Sequence, residues 1–152
     1  MKKLANLLTQ KNLTIAVAES CTGGNLSAFL TNQSGASAYF DRGFITYSNQ
    51  AKIDTLGVSA ATLNNFGAVS EQTALEMSRG VIKNAKSDIA IAITGIAGPT
   101  GGTTQKPVGT VCFGFCIGKN CQTSTQHFQG SRSEIVQSSV DFAISFLQQQ
   151  LL

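Results

Sequence analysis

The chain has 152 residues, 12% of them charged, with eleven Lys and Arg against eight Asp and Glu and a formal net charge of +3. That length suits one domain with a sizeable core, and basic residues scattered without a run argue against an electrostatic nucleic-acid footprint. No stretch approaches the roughly 18 continuous apolar residues of a membrane-crossing helix, and the basic start at Lys2 and Lys3 leads into no long apolar segment, so no signal peptide and a cytoplasmic location are expected.

In chain order, residues 1–10 read as an amphipathic helix. Residues 13–18 are short, apolar and β-branched, and predict a buried strand. That strand breaks through AESCTGG (18–24) into residues 25–30, which read as a helix. Glycines allow a sharp turn and close approach of a ligand, and a helix start points unpaired N–H groups at the same spot. A hydroxyl held there is placed either to attack a carbonyl or to bind a phosphate. A Ser/Thr-capped βα turn without chemistry is the alternative.

Residues 44–46 predict a strand ending at Tyr47, after which Ser48 caps a short helix holding Lys52. A second helix begins near Ser70, with Ala74, Met77 and Val81 on one face. Residues 89–93 form another apolar strand candidate, running into the Gly- and hydroxyl-rich loop 94–109. If the two apolar strands are parallel, both hydroxyl-rich loops leave one edge of the sheet, where open α/β folds bind ligands. Neither loop carries a Walker A or G-x-G-x-x-G pattern. Residues 110–117 and 121–128 read as a hairpin, and Ser131 with Glu134 forms a capping box opening a last helix. Strands alternate with helices up to that hairpin, so the predicted fold is a single-domain three-layer α/β/α sandwich with a mixed, mostly parallel sheet.

Four cysteines, at 21, 112, 116 and 121, carry no C-x-x-C spacing, and there is one histidine, His127. Free thiols are the expectation for a reducing compartment, with Cys112 and Cys116 on one face of their strand. A zinc site is not expected, and His127 reads as a surface or half-buried strand residue.

Five motifs, AESCTGG (18–24), YSNQAK (47–52), GAVSE (67–71), TGIAGP (94–99) and KPVGTV (106–111), stand in an order that resembles the CinA C-terminal domain family of competence-damage-inducible proteins and nicotinamide-nucleotide amidases. The resemblance runs from about residue 4 to 147, in the form that stands without the family's second domain. It implies an amidohydrolase converting nicotinamide mononucleotide to nicotinate mononucleotide and ammonia, with no cofactor and no metal.

Amide hydrolysis needs a nucleophile, a base, oxyanion donors and a proton for the leaving amine. Ser20 is the natural nucleophile, with the N–H groups of Thr22, Gly23 and their neighbours, Gly24 included, as donors. Cys21 is a rival nucleophile by chemistry, but is read as structural. By residue type alone, Lys52 reads as solvent-facing and Tyr47 as packed. The resemblance instead implies Ser20, Tyr47 and Lys52 as the catalytic set. Lys52 would then need a lowered pKa, from desolvation or from a cation such as Arg42. Thr94, Gly95 and Gly98 match the family's substrate loop. Arg132 is expected to hold a phosphate, although the acidic residue usual before it is Ser131 here.

The expected partners are a small-molecule nucleotide and further copies of the chain, a dimer favoured, with no nucleic acid and no membrane. The alternative function is a catalytically inactive nucleotide-binding or sensing module linked to competence or DNA damage. Ammonia release separates the two.

Overall fold

The computed structural model describes residues 2–152 and follows the order α1 (Lys2–Gln10), β1 (Ile15–Glu19), α2 (Asn25–Thr31), a 3-10 turn (Ala36–Ala38), β2 (Phe40–Ile45), α3 (Asn49–Leu56), α4 (Ala60–Phe66), α5 (Glu71–Ala85), β3 (Ile89–Gly95), β4 (Thr110–Ile117), β5 (Asn120–His127) and α6 (Arg132–Leu151). One five-stranded sheet has the order β2-β1-β3-β4-β5. β1 pairs in parallel with β2 and β3, whereas β4 is antiparallel to both β3 and β5. Four strands therefore share one direction, and the three-layer mixed sandwich is the architecture the sequence predicts.

The alternation of side chains along the strands decides which helices cover which face. Ile15, Val17, Ile89, Ile91 and Ile93 pack with Leu4 and Leu8 of α1, Leu26 and Leu30 of α2, and the apolar stripe of α6. Ala16, Ala18, Ala90 and Ala92 point the other way, onto Leu56, Leu63, Met77 and Val81 of α3, α4 and α5. Strands covered on both faces read as continuous apolar runs, as β1 and β3 do. The small side chains on the second face bring α5 close. At Gly114 of β4, a Cβ would stand 2.2 Å from the Ala74 carbonyl oxygen, so only glycine fits. On the first face Phe113 and Phe115 of β4 meet Phe142 and Phe146 of α6, with ring centroids 4.7 and 4.2 Å apart.

Three details differ from the sequence reading. α4 is an additional helix that the periodicity does not reveal. Its seven residues bury only Leu63, and it is held by the Ser59 cap and ended by Gly67. β3 extends through Thr94 and Gly95, which the sequence assigns to a loop, because Thr94 and Gly95 pair with Cys112 and Val111 of β4. The free-thiol expectation fails at two positions. Cys116 and Cys121 lie directly opposite in the β4–β5 register and are joined as a disulfide. Spacing along one strand could not show this pairing across a turn. Cys21 and Cys112 are free.

The topology positions the site. From β1 the chain passes through α2 to β2 on one side. It then returns through α3, α4 and α5 to β3 on the other side. Glu19 is level with Ile45 of β2 and Ile93 of β3, so the segments after all three strands emerge at one edge. Ligands of open α/β sheets bind at such a divergence.

Candidate active site

Ser20 is the first residue beyond β1 and is 8% exposed. Its N–H donates to the Ile93 carbonyl at 3.0 Å, and its own carbonyl accepts from the Gly23 N–H at 3.1 Å. The backbone is thus pinned to β3 on one side and closed into a turn on the other. The N–H groups of Cys21 and Thr22 donate to no other residue among the described residues.

Lys52 reaches the same point from β2. The Thr46 N–H donates to the Glu19 carbonyl at 2.9 Å, carrying the β1–β2 alignment one residue past the strand. Ser48 then caps α3 by accepting from the Ala51 N–H at 3.0 Å. One helical turn on, the Lys52 side chain points inward and is 1% exposed. Its Nζ lies 3.0 Å from Ser20 Oγ, 2.8 Å from the Thr46 carbonyl oxygen and 3.5 Å from that of Tyr47.

Burial lowers the Lys52 pKa from its ordinary 10.5, opposed by the nearby Cys21 sulfur. No carboxylate stands within ion-pair distance among the described residues. Arg42 is not the source of the shift. It is ion-paired with its neighbour Asp41 and turned to solvent. A neutral amine has two N–H groups and one lone pair. With the N–H groups of the neutral form on the two carbonyls, its lone pair would face the Ser20 hydroxyl; in the charged form Nζ donates to Ser20 Oγ.

Cys21 is half-buried beside this pair, and burial pushes its thiol up to about 12. It is protonated at neutral pH, the opposite of a reactive thiolate. Tyr47 is 59% exposed, and its phenol oxygen accepts from Arg132 Nη2 at 2.9 Å. Its contact with Lys52 is through its carbonyl, while the ring stands at the rim. Arg132, the first residue of α6, also donates from Nη1 to the Gly98 carbonyl at 2.8 Å. Buried Thr94 donates its hydroxyl to the Ala68 carbonyl at 2.8 Å.

A cavity of about 260 Å³ is lined by Ser20, Cys21, Tyr47, Lys52, Thr94, Gly95, Gly98 and Arg132, together with Asn49 and neighbouring loop residues. Thr22, Gly23 and Gly24 do not line it. Thr22 is buried behind the turn and Gly24 caps α2. His127 is exposed at the end of β5 and lines a different cavity.

Sequence reasoning misses Glu19, whose side chain is fully buried. Its Oε1 accepts from the Leu26 N–H at 2.8 Å, and its Oε2 from the Ser27 N–H at 2.9 Å and the Ser27 hydroxyl at 2.7 Å. The free donors expected at the start of α2 are therefore filled by an internal carboxylate rather than left for a ligand. Gly43 leaves the room, since a Cβ there would lie 2.3 Å from Ser27 Oγ. A lone acid closing an otherwise apolar strand is the signal that could have found it. Glu19→Gln should lower stability by roughly 1–3 kcal/mol in urea unfolding, because its amide nitrogen cannot accept from Ser27. An unchanged midpoint would mean that α2 is held by packing alone.

A family model described as the CinA C-terminal domain matches residues 1–151. The chain is 46% identical over 149 residues to a CinA-like protein of Kosmotoga olearia and 48% identical over 149 residues to a putative competence-damage inducible protein of Clostridium novyi. Each alignment covers 98% of this chain and 36% of the relative, so the chain spans about a third of the length of these curated relatives. Among solved structures it is similar to the competence damage-inducible protein A of Klebsiella pneumoniae, with TM-score 0.96 and 39% identity over 99% of this chain and 93% of that one. It is equally similar to a competence or damage-inducible protein of Enterobacter asburiae, with TM-score 0.96 and 42% identity over 99% and 95%. With its five motifs, its sheet order and its match over nearly every residue, the chain belongs to the CinA C-terminal domain family.

Proposed function

We propose that the chain is an amidohydrolase that converts nicotinamide mononucleotide and water to nicotinate mononucleotide and ammonia. The observation that carries the chemistry is the Lys52 Nζ, buried, lowered in pKa and 3.0 Å from Ser20 Oγ. The motif resemblance supplies the substrate.

Ser20 Oγ attacks the carboxamide carbon while its proton passes to Lys52 Nζ. The N–H of Cys21, a residue that lines the cavity, has no partner among the described residues and is the backbone donor offered to the developing oxyanion. Collapse of the tetrahedral intermediate breaks the C–N bond. Lys52 returns the proton to the departing nitrogen, releasing ammonia and leaving an ester on Ser20. Water then attacks that ester, Lys52 again takes the proton, and the acid departs as Ser20 is reprotonated. Nucleophile and base both come from side chains, so no step requires a metal. Purified protein should release ammonia from nicotinamide mononucleotide faster than from its riboside or from nicotinamide. Release from none of the three would favour the inactive sensing module instead.

Arg132 stands at the mouth as the phosphate partner. Arg132→Ala should weaken the mononucleotide by roughly 1.5–3 kcal/mol, the worth of hydrogen bonds to a charged group. The riboside, which has no phosphate, should lose little. Equal losses for both ligands in calorimetric titrations would mean that Arg132 serves by holding Tyr47 and Gly98 in place.

A further inference from the structure

A second, larger cavity of about 590 Å³ lies against the Ser20 cavity, with Val69 lining both. The reaction uses none of its other residues. It is bounded by the end of α4, the start of α5, the tip of loop 94–109 and the ends of β4 and β5.

Its polar groups divide into two sets. The Glu71 carboxylate is committed to β5, accepting from the Thr125 hydroxyl at 2.9 Å and the Thr123 hydroxyl at 3.0 Å. The Ser70 and Thr110 hydroxyls are spent on the carbonyls of Gly67 and Pro107. The Lys106 ammonium, by contrast, makes one hydrogen bond, to the Phe66 carbonyl at 2.6 Å. It has no carboxylate within ion-pair distance among the described residues. An ammonium has three N–H donors, so two remain. The His127 ring, which offers one N–H when neutral and two when protonated, has no partner among the described residues. The same holds for the Gln105 and Gln72 amides. At the rim Phe66 leaves a large apolar ring 46% exposed. Uncommitted cationic and N–H donors beside an exposed aromatic face suit a ligand that joins an anion to a planar ring.

We propose that this cavity is a second binding site, separate from the Ser20 cavity, that takes a mononucleotide. Lys106 and His127 hold its phosphate, and Phe66 holds its base. The proposal does not depend on the amidase reading, because binding and not turnover is what tests it.

The experiment is calorimetric titration of the whole chain with adenosine monophosphate, adenosine and inorganic phosphate, repeated on four variants. Adenosine monophosphate should bind with one equivalent that does not depend on Arg132. Lys106→Met and His127→Gln should each weaken it roughly tenfold or more, the worth of a hydrogen bond to a charged group. Phe66→Ala should weaken both adenosine monophosphate and adenosine. Arg132→Ala, which removes the phosphate partner of the Ser20 cavity, should leave in place the binding that Lys106→Met and His127→Gln weaken. Phe66 and His127 are exposed, so their variants read binding even if Lys106→Met disturbs the end of α4. Failure of adenosine monophosphate to bind at millimolar concentration would overturn the proposal. So would affinity unmoved by the Phe66 and His127 changes, or affinity lost only in Arg132→Ala. Binding of inorganic phosphate as tight as that of adenosine monophosphate would overturn the role of Phe66 and reduce the site to an anion hole.

Discussion

Ser20→Ala should reduce ammonia release by about a thousandfold or more while substrate still binds, the pattern of a covalent catalytic set that has lost its nucleophile. Removing one oxygen leaves the cavity its shape and leaves Lys52 its two carbonyl partners, Thr46 and Tyr47. The loss should therefore fall on kcat rather than KM. Cys21→Ala is the matched control. The Cys21 sulfur stands in the same cavity, but its thiol is held near 12 and is protonated at working pH. Its removal should change turnover only slightly. Near-normal turnover in Ser20→Ala, or collapse in Cys21→Ala, would reverse the two assignments. Steady-state rates of the two variants side by side decide it.

Lys52 carries the second large effect. A base must be neutral to accept the Ser20 proton, and burial lowers its pKa toward that state. Lys52→Arg should be nearly inactive, because a guanidinium does not release its proton in this range. Lys52→Met keeps the aliphatic stem and should fold but be equally slow. Activity should rise with pH as Lys52 loses its proton, at a midpoint below 10.5.

The same shift fixes the sign of a stability effect. Between the lowered folded value and the ordinary unfolded one, the unfolded chain binds the extra proton. The Lys52 contribution to stability is therefore complete above 10.5, falls as pH drops through that window, and is flat below it. Wild-type stability minus that of Lys52→Met, followed by urea unfolding, should rise with pH across the window. A flat or falling difference would mean that the amine is not desolvated in the folded state.

The apolar strands and capped helices were legible because their signals are local. The run 89–93 announces a strand covered on both faces, and Ser131 with Glu134 announces the start of α6. Pairings between distant segments were not. The Cys116–Cys121 bond depends on hairpin register, and α4 depends on two caps around one buried leucine. In the site, the motifs point to Ser20 and Lys52, but their 3.0 Å contact follows from β2 lying beside β1, which no spacing within one segment encodes. The sequence places Arg132 at the start of a helix, where a phosphate is expected. The hold of Arg132 on Tyr47 crosses 85 residues of sequence, and no periodicity relates the two. Glu19 went unread because an acid at a strand end looks like a surface residue until the helix start it caps is folded over it.

In the proposed reaction a buried Lys52 activates Ser20 once it has lost its proton. The most direct measurement follows the Lys52 side-chain carbon next to Nζ by NMR across pH in the free protein, assigned by its absence in Lys52→Met. The titration midpoint should lie below the ordinary 10.5 and coincide with the rising limb of ammonia release. A midpoint at or above 10.5 would leave the amine charged at working pH and contradict the mechanism at its first proton transfer.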